Sequence, residues 1–300
     1  MSGFLAELAK NLADRWLAAL VLPGVLWITA LVVADRLGQR HPFDIEGLHG
    51  WLQAQAANPG NHALATVLLA ATGLLAAAAA AGMAASALGS LLRRAYAGAG
   101  ERRPLMWLAI ARQHRWDRAT AQLKKAIAVA ANPAAHATTA DRAMADVRRA
   151  ESRRKAIGDS RPARLTPIGD LFHLVAVRAK TAYGLDLDLA WPRLWAVLPD
   201  ALRTDLAASS DAYGSAARLT AWGLLYALLA VFCWPAVLIG AVIVTYGWVQ
   251  ARAAAQVLAE LIETAMDLHL SDLAERLGIP VDKPLTSSTG EAVTRLLRKD

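Results

Sequence analysis

The chain has 300 residues, 56% of them hydrophobic, with a mean hydropathy of +0.31 and a net charge of +7 at neutral pH. Runs such as Ala76 to Ala81 carry more apolar surface than a water-soluble globule of this size would show, and place the chain among all-α, polytopic membrane proteins. A single cysteine, Cys233, excludes an intrachain disulfide and any multi-cysteine metal site.

From Trp16 to Ala34 no residue is charged, and at about 1.5 Å of rise each these 19 residues reach roughly 28 Å, close to a hydrocarbon core. This predicts a first membrane span, kinked at Pro23-Gly24. Upstream, Phe4, Leu5, Leu8 and Leu12 recur at helical spacing opposite Glu7, Lys10 and Asp14, the pattern of a short interfacial helix. A cleaved leader is the rival reading, because Val32-Val33-Ala34 resembles a small-residue cleavage site. The apolar stretch is long for a leader and the preceding charges are mixed, so an uncleaved anchor fits better.

Residues 35–61 read as a polar loop with one short helix around Trp51 and a turn at Asn58-Pro59-Gly60. From Ala63 to Leu92 charge is again absent, over 30 residues, which predicts a second span longer than a bilayer needs. Gly82, Ser86 and Ser90, with Ala85 and Gly89, fall four apart, the spacing that lets helix backbones approach closely in lipid. Gly82, Ser86, Gly89 and Ser90 are therefore the expected helix-packing residues.

Between Arg93 and Arg178 there are 18 lysines and arginines against 7 acids, a net +11. The positive-inside rule puts this segment and the N-terminus in the cytoplasm, and loop 35–61 outside. Helices are expected over 105–131 and 139–157, the second with a capping box at Thr138 and Asp141 and with Gly158 beyond its end. Thr166-Pro167 opens another helix, ending near Tyr183-Gly184, and Pro199-Asp200 starts the next.

Residues 219–251 hold 33 positions without charge. One helix would run to roughly 50 Å, whereas a hairpin turning at Trp234-Pro235 gives arms of about 24 Å. The hairpin is preferred, since Pro235 is a natural break and four spans return the charged tail to the cytoplasm. The tail is expected to begin with an amphipathic helix from about Gln250 to Leu277, followed by a flexible Ser/Thr stretch from Thr286 to Gly290 and a basic end at Arg295, Arg298 and Lys299. The organisation expected is thus 1–92 with an interfacial helix and two transmembrane helices, 93–218 as a basic helical cytoplasmic region, 219–251 as a transmembrane hairpin, and 252–300 as a cytoplasmic helix and tail.

Few residues suggest chemistry. Glu260, Glu263, Asp267, His269 and Asp272 come nearest to a metal constellation, but His269 leaves the face shared by Glu263 and Asp267, and the position three before it is Met266. His41, His49 and His62 match no zinc spacing. No phosphate loop, zinc-hydrolase, serine-nucleophile or Cys-x-x-Cys motif occurs, and no Asp, Glu, Lys, Arg or His lies within the three uncharged windows. No catalytic residue, metal ligand or cofactor is predicted. Arg112, Arg115, Trp116, Arg118, Lys124 and Lys125 combine basic charge with an aromatic and are read as a membrane-surface contact on anionic headgroups, with nucleic acid disfavoured for want of a motif.

Tyr183-Gly184-Leu185-Asp186-Leu187, Ala190-Trp191-Pro192-Arg193-Leu194-Trp195, Leu198-Pro199, Trp222-Gly223-Leu224-Leu225-Tyr226 and Trp234-Pro235 resemble stretches of uncharacterised multi-pass membrane proteins of high-GC actinobacteria, over roughly residues 161–277. The resemblance implies a compartment and a lineage and carries no activity. The functional expectation is a plasma-membrane anchor or scaffold in contact with the bilayer, forming a homo-oligomer, whose basic cytoplasmic helices meet a protein partner or anionic lipid. A passive channel lined by Thr29, Thr66, Thr72, Ser86 or Ser90 is the alternative, and a membrane enzyme using Glu263 or His269 the third.

Overall fold

The computed structural model describes residues 21–57, 64–98, 103–131, 137–158, 160–281 and 287–298, and among these every regular element is helical. The helices are α1 (Leu22–Leu37), α2 (Ile45–Ala57), α3 (Leu64–Ala97), α4 (Arg103–Ala130), α5 (Ala137–Ile157), α6 (Pro167–Tyr183), α7 (Leu187–Val197), α8 (Asp200–Leu228), α9 (Ala236–Arg276) and α10 (Ser287–Arg298). The expected interfacial helix at 4–12 and the start of the first span at Trp16 lie outside the described residues. So does the turn preceding Pro23, on which the predicted kink depends. The capping box expected at Thr138 likewise falls where side chains are not described.

The chain forms two compact units, one from Met1–Leu92 and Gly214–Ala251, the other from Arg93–Tyr213 and Arg252–Asp300. Both α8 and α9 contribute residues to each. Three helical segments are long and apolar enough to cross a membrane: α3, with 34 residues, α8 with its 3₁₀ extension to Val231, with 32, and α9, with 41. At about 1.5 Å per residue each outruns a hydrocarbon core of about 30 Å.

In the first unit, burial is the reverse of a water-soluble core. Its interior is lined by Ala78, Gly82, Ala85 and Gly89 of α3 and by Ala217, Ala221, Gly223, Gly240 and Gly247 of the α8/α9 pair. Most large aliphatics point outward, with Leu69, Val231 and Val242 exposed to 74%, 70% and 69%, while Leu229 is buried. α8 ends in a 3₁₀ turn at Leu229–Val231, and Phe232 to Pro235 reverse the chain before α9 begins. A Cβ on Gly240 would lie 2.6 Å from the Ala227 amide nitrogen, one on Gly223 2.7 Å from that of Val244, and one on Gly247 2.6 Å from the Thr220 hydroxyl. Numbers fall along α8 as they rise along α9, so the pair is antiparallel and its backbones touch. Gly24 of α1 packs in the same way on the Ala78 carbonyl of α3, and Gly89 of α3 on the Arg218 backbone.

The Arg36–Asp44 connection and the α8/α9 turn meet at one end of this unit. The Gln39 amide donates to the carbonyls of Ala230 at 2.5 Å and Val231 at 2.8 Å, and Phe43 meets Trp234 edge-on at 6.3 Å. Arg36 sits 4.9 Å from the Trp51 ring centroid.

The second unit has an ordinary core. Val175 of α6, Leu185, Leu194 of α7, Leu206 of α8, Met266 and Leu270 of α9 and Val293 of α10 are buried together. Two expectations are corrected here. The amphipathic helix expected to begin at Gln250 is the second half of α9, because nothing between Gly247 and Gly278 breaks a helix and Ala253 to Ala255 favour its continuation. Of the stretch expected to be flexible, Ser287 to Gly290 form the first turn of α10, which Val293 and Leu297 hold against the core. Gly290 there approaches the Tyr183 carbonyl too closely for any side chain.

Replacing Gly240 by valine should lower the thermal midpoint of helix unfolding in detergent by the several degrees expected of a core overpacking of about 1–3 kcal/mol. Gly73→Ala, in α3 with nothing within 4 Å of the new Cβ, should leave the midpoint unchanged or raise it by the equivalent of about 0.5–1 kcal/mol.

Candidate functional site

α4 and α5 pack as a helical hairpin in the second unit, and the connection after α5 is fastened from both sides. Arg112 of α4 reaches into this junction, with Nη1 donating to Asp170 Oδ2 at 2.5 Å and to the Arg164 carbonyl at 3.2 Å, and Nη2 donating to the Ile157 carbonyl at 2.7 Å. The other Asp170 oxygen accepts the amides of Ala163 and Arg164, both at 2.7 Å. The two side chains are 14% and 13% exposed. This is a nearly buried ion pair with its remaining polar atoms supplied by backbone, the condition under which such a pair is tolerated.

Neighbouring side chains extend the fastening. Gln113 donates to the Pro162 carbonyl at 2.9 Å, Trp116 Nε1 to the Gly158 carbonyl at 3.3 Å, and Arg161 pairs with Asp117 at 3.2 Å. Thr166 caps α6 by accepting the Gly169 amide at 3.0 Å while its hydroxyl donates to the Tyr96 carbonyl. The side chains of α4 thus divide by function. Arg112 and Trp116, expected at a membrane surface, are engaged with protein partners, because an arginine beside a nearly buried carboxylate and two carbonyls has a better place than solvent. Arg115, Arg118, Lys124 and Lys125 are exposed, and none makes an ion pair among the described residues.

Of the expected packing residues of α3, Gly82 and Gly89 lie on its buried side and Ser86 is half-buried. Ser90 is exposed, with its hydroxyl turned back to the Ala87 carbonyl at 2.7 Å. Trp234 is exposed and Pro235 half-buried in the turn between α8 and α9.

The acidic group on α9 is occupied by protein contacts. Glu263 pairs with Arg178 at 2.7 Å, Asp267 accepts the Tyr183 hydroxyl at 2.7 Å, and His269 contacts Asp272 at 2.9 Å. Among the described residues no three His, Cys, Asp or Glu side chains gather in a way that could hold a metal ion. The hydrogen bond to Asp267, then burial and the nearby negative charge, push the Tyr183 hydroxyl from 10.0 up to about 12.

A cleft of about 700 Å³ opens where α6, α7 and α10 meet. Lys180, Arg295 and Arg298 face Asp186, Asp188 and Glu291 across it, so the formal charges cancel. Arg298 is already paired with Asp186 at 3.0 Å, and Thr294 is bonded to the Asp186 amide and the Gly184 carbonyl. These contacts fasten α10 to the start of α7.

No protein-family model, curated protein or solved structure matches the chain, so the functional reading rests on its own residues.

Sequence reasoning missed Asp170 as the partner of Arg112, since 58 residues separate them. It also missed the α8/α9 glycines, although Gly240 and Gly247 stand seven apart, two helical turns on one face.

Arg112→Met should destabilise the protein by about 2–4 kcal/mol by leaving the Asp170 carboxylate buried without its cation, while Arg115→Ala should stay within about 0.5 kcal/mol. Thermal unfolding of both variants checks this. A phenol with a folded pKa above its unfolded one stabilises below the unfolded value, and that contribution is lost as pH rises from about 10 through about 12. Tyr183→Phe should therefore lower stability by about 1 kcal/mol at pH 8, the contact being partly solvated, and its deficit relative to the parent should shrink across that alkaline window.

Proposed function

We propose that this protein is a multi-pass integral protein of the plasma membrane that serves as an anchor or scaffold, holding a folded helical unit at the cytoplasmic face. The observation that carries the reading is the reversed burial of the first unit, where glycine and alanine fill the interior and leucine, valine and isoleucine face outward. In water such a surface is an aggregation hazard, whereas in lipid, where apolar exposure costs nothing, small residues are what let helices associate. The leucine-based core of the second unit fits an aqueous compartment, and the excess of +11 over residues 93–178 favours the cytoplasm.

The contacts of Gln39 with Ala230 and Val231 support the same topology. They bring the connection after α1 and the α8/α9 turn to one end of the first unit, as they must be if both lie outside.

Cys233 is 6% exposed, so its thiol would stay unreactive on either side of a membrane and is a poor topology probe. Trp234→Cys in a Cys233→Ser background replaces it. In intact cells an impermeant maleimide should label position 234 and spare Arg149→Cys, on the exposed side of α5, which should react only after permeabilisation, and the protein should remain in the carbonate-washed membrane pellet. Labelling of position 149 alone in intact cells would invert the topology, and release of the protein by carbonate would end the membrane reading.

A further inference from the structure

We propose that the outward face of α4 is an interfacial membrane-binding surface, lying along an anionic leaflet. This rests on the integral-membrane reading and specifies which face of the second unit meets the lipid.

At 100° per residue, Trp107, Ile110, Ala111, His114, Arg118, Ala121, Lys125 and Val129 fall on one side of α4, with Arg115 and Lys124 at its two margins. All ten are exposed. The opposite side, with Trp116, Ala119 and Leu123, is turned into the protein. The outward face therefore carries four cations without ion-pair partners among the described residues. The one acid within α4, Asp117, is half-buried and paired with Arg161.

Apolar residues stand at both ends of this basic band, with Trp107 exposed to 63% and Val129 to 64%. They are separated by about 33 Å of helix. A merely solvated face needs no tryptophan, isoleucine and valine in water, and one that binds nucleic acid needs none beyond its cations. A helix lying in an interface uses both classes: apolar side chains enter the acyl boundary and cations meet phosphates. Only residues 98–102 join α3 to α4, so the first turn of α4 stays within about 20 Å of the end of an apolar helix. Arg112 and Trp116 take no part in the contact, being committed to the junction with α6.

The test uses the full chain in a Cys233→Ser background, with an environment-sensitive fluorophore on Ala111→Cys and, in a separate sample, on Leu68→Cys of α3. Each is reconstituted into vesicles of phosphatidylcholine alone or with phosphatidylglycerol, both containing a spin-labelled lipid quencher. At low salt, position 111 should be quenched and blue-shifted in the anionic vesicles only. High salt should abolish that quenching, as should the combined change Arg115→Glu, Arg118→Glu, Lys124→Glu and Lys125→Glu, with helicity unchanged by circular dichroism. The salt arm leaves all four cations in place and stands if the fourfold variant fails to fold. Equal quenching in neutral vesicles, or quenching that survives salt, would overturn the proposal. Protection of position 111 in native membranes with none in pure lipid would assign the face to a protein and overturn it as well. Position 68 should be quenched in every vesicle; if it is not, the integral-membrane reading fails, whatever α4 does.

Discussion

The contact on which most else depends is the backbone-to-backbone approach of α8 and α9 at Gly223, Gly240 and Gly247. Each glycine occupies a place where a Cβ would collide with the opposite helix, so the two run closer than side chains allow. The free energy of such a seam comes from dispersion over a long, smooth interface and not from excluding water, and so it operates whether or not water is present. Because both helices continue past the seam, the same pair that organises the first unit also supplies Leu206, Met266 and Leu270 to the core of the second.

The second unit is held by different means. Leucines and valines do the packing, while polar groups are spent on fastening connections: Arg112 and Asp170 after α5, Thr166 at the start of α6, Thr294 and Arg298 between α10 and α7. Each of these ties a helix end or loop whose amides and carbonyls would otherwise be left unpaired. Most of the chemistry-bearing side chains that attract attention in the sequence are consumed in this way. Glu263, Asp267 and His269 on α9 have protein partners, and Arg112 has three polar contacts of its own. The exposed cations of α4 stand apart from that pattern, and for this reason they mark the face proposed to meet lipid.

The helices themselves were largely legible. Thr166-Pro167, Gly184 and Pro199-Asp200 bound helices in the structure as their local chemistry predicts, since capping and the left-handed φ of 65° at Gly184 depend only on neighbours in sequence. Continuity was harder. A change from apolar to amphipathic composition near Gln250 suggested two elements, yet composition does not end a helix; only backbone geometry does, and α9 runs through. The sorting of the α4 cations was beyond reach for a related reason. Arg112 and Arg115 look alike in sequence, and what separates them is a carboxylate 58 residues away.

What the sequence determined by itself was the helical class, the apolar windows and the lopsided basic charge, because these follow from composition and from periods shorter than one helix. Which small residues touch, which cations stay exposed, and that one helix runs through from Ala236 to Arg276 were decided by the tertiary structure. Those outcomes depend on partners distant in sequence, on antiparallel register and on the space left between backbones, and no local pattern encodes them.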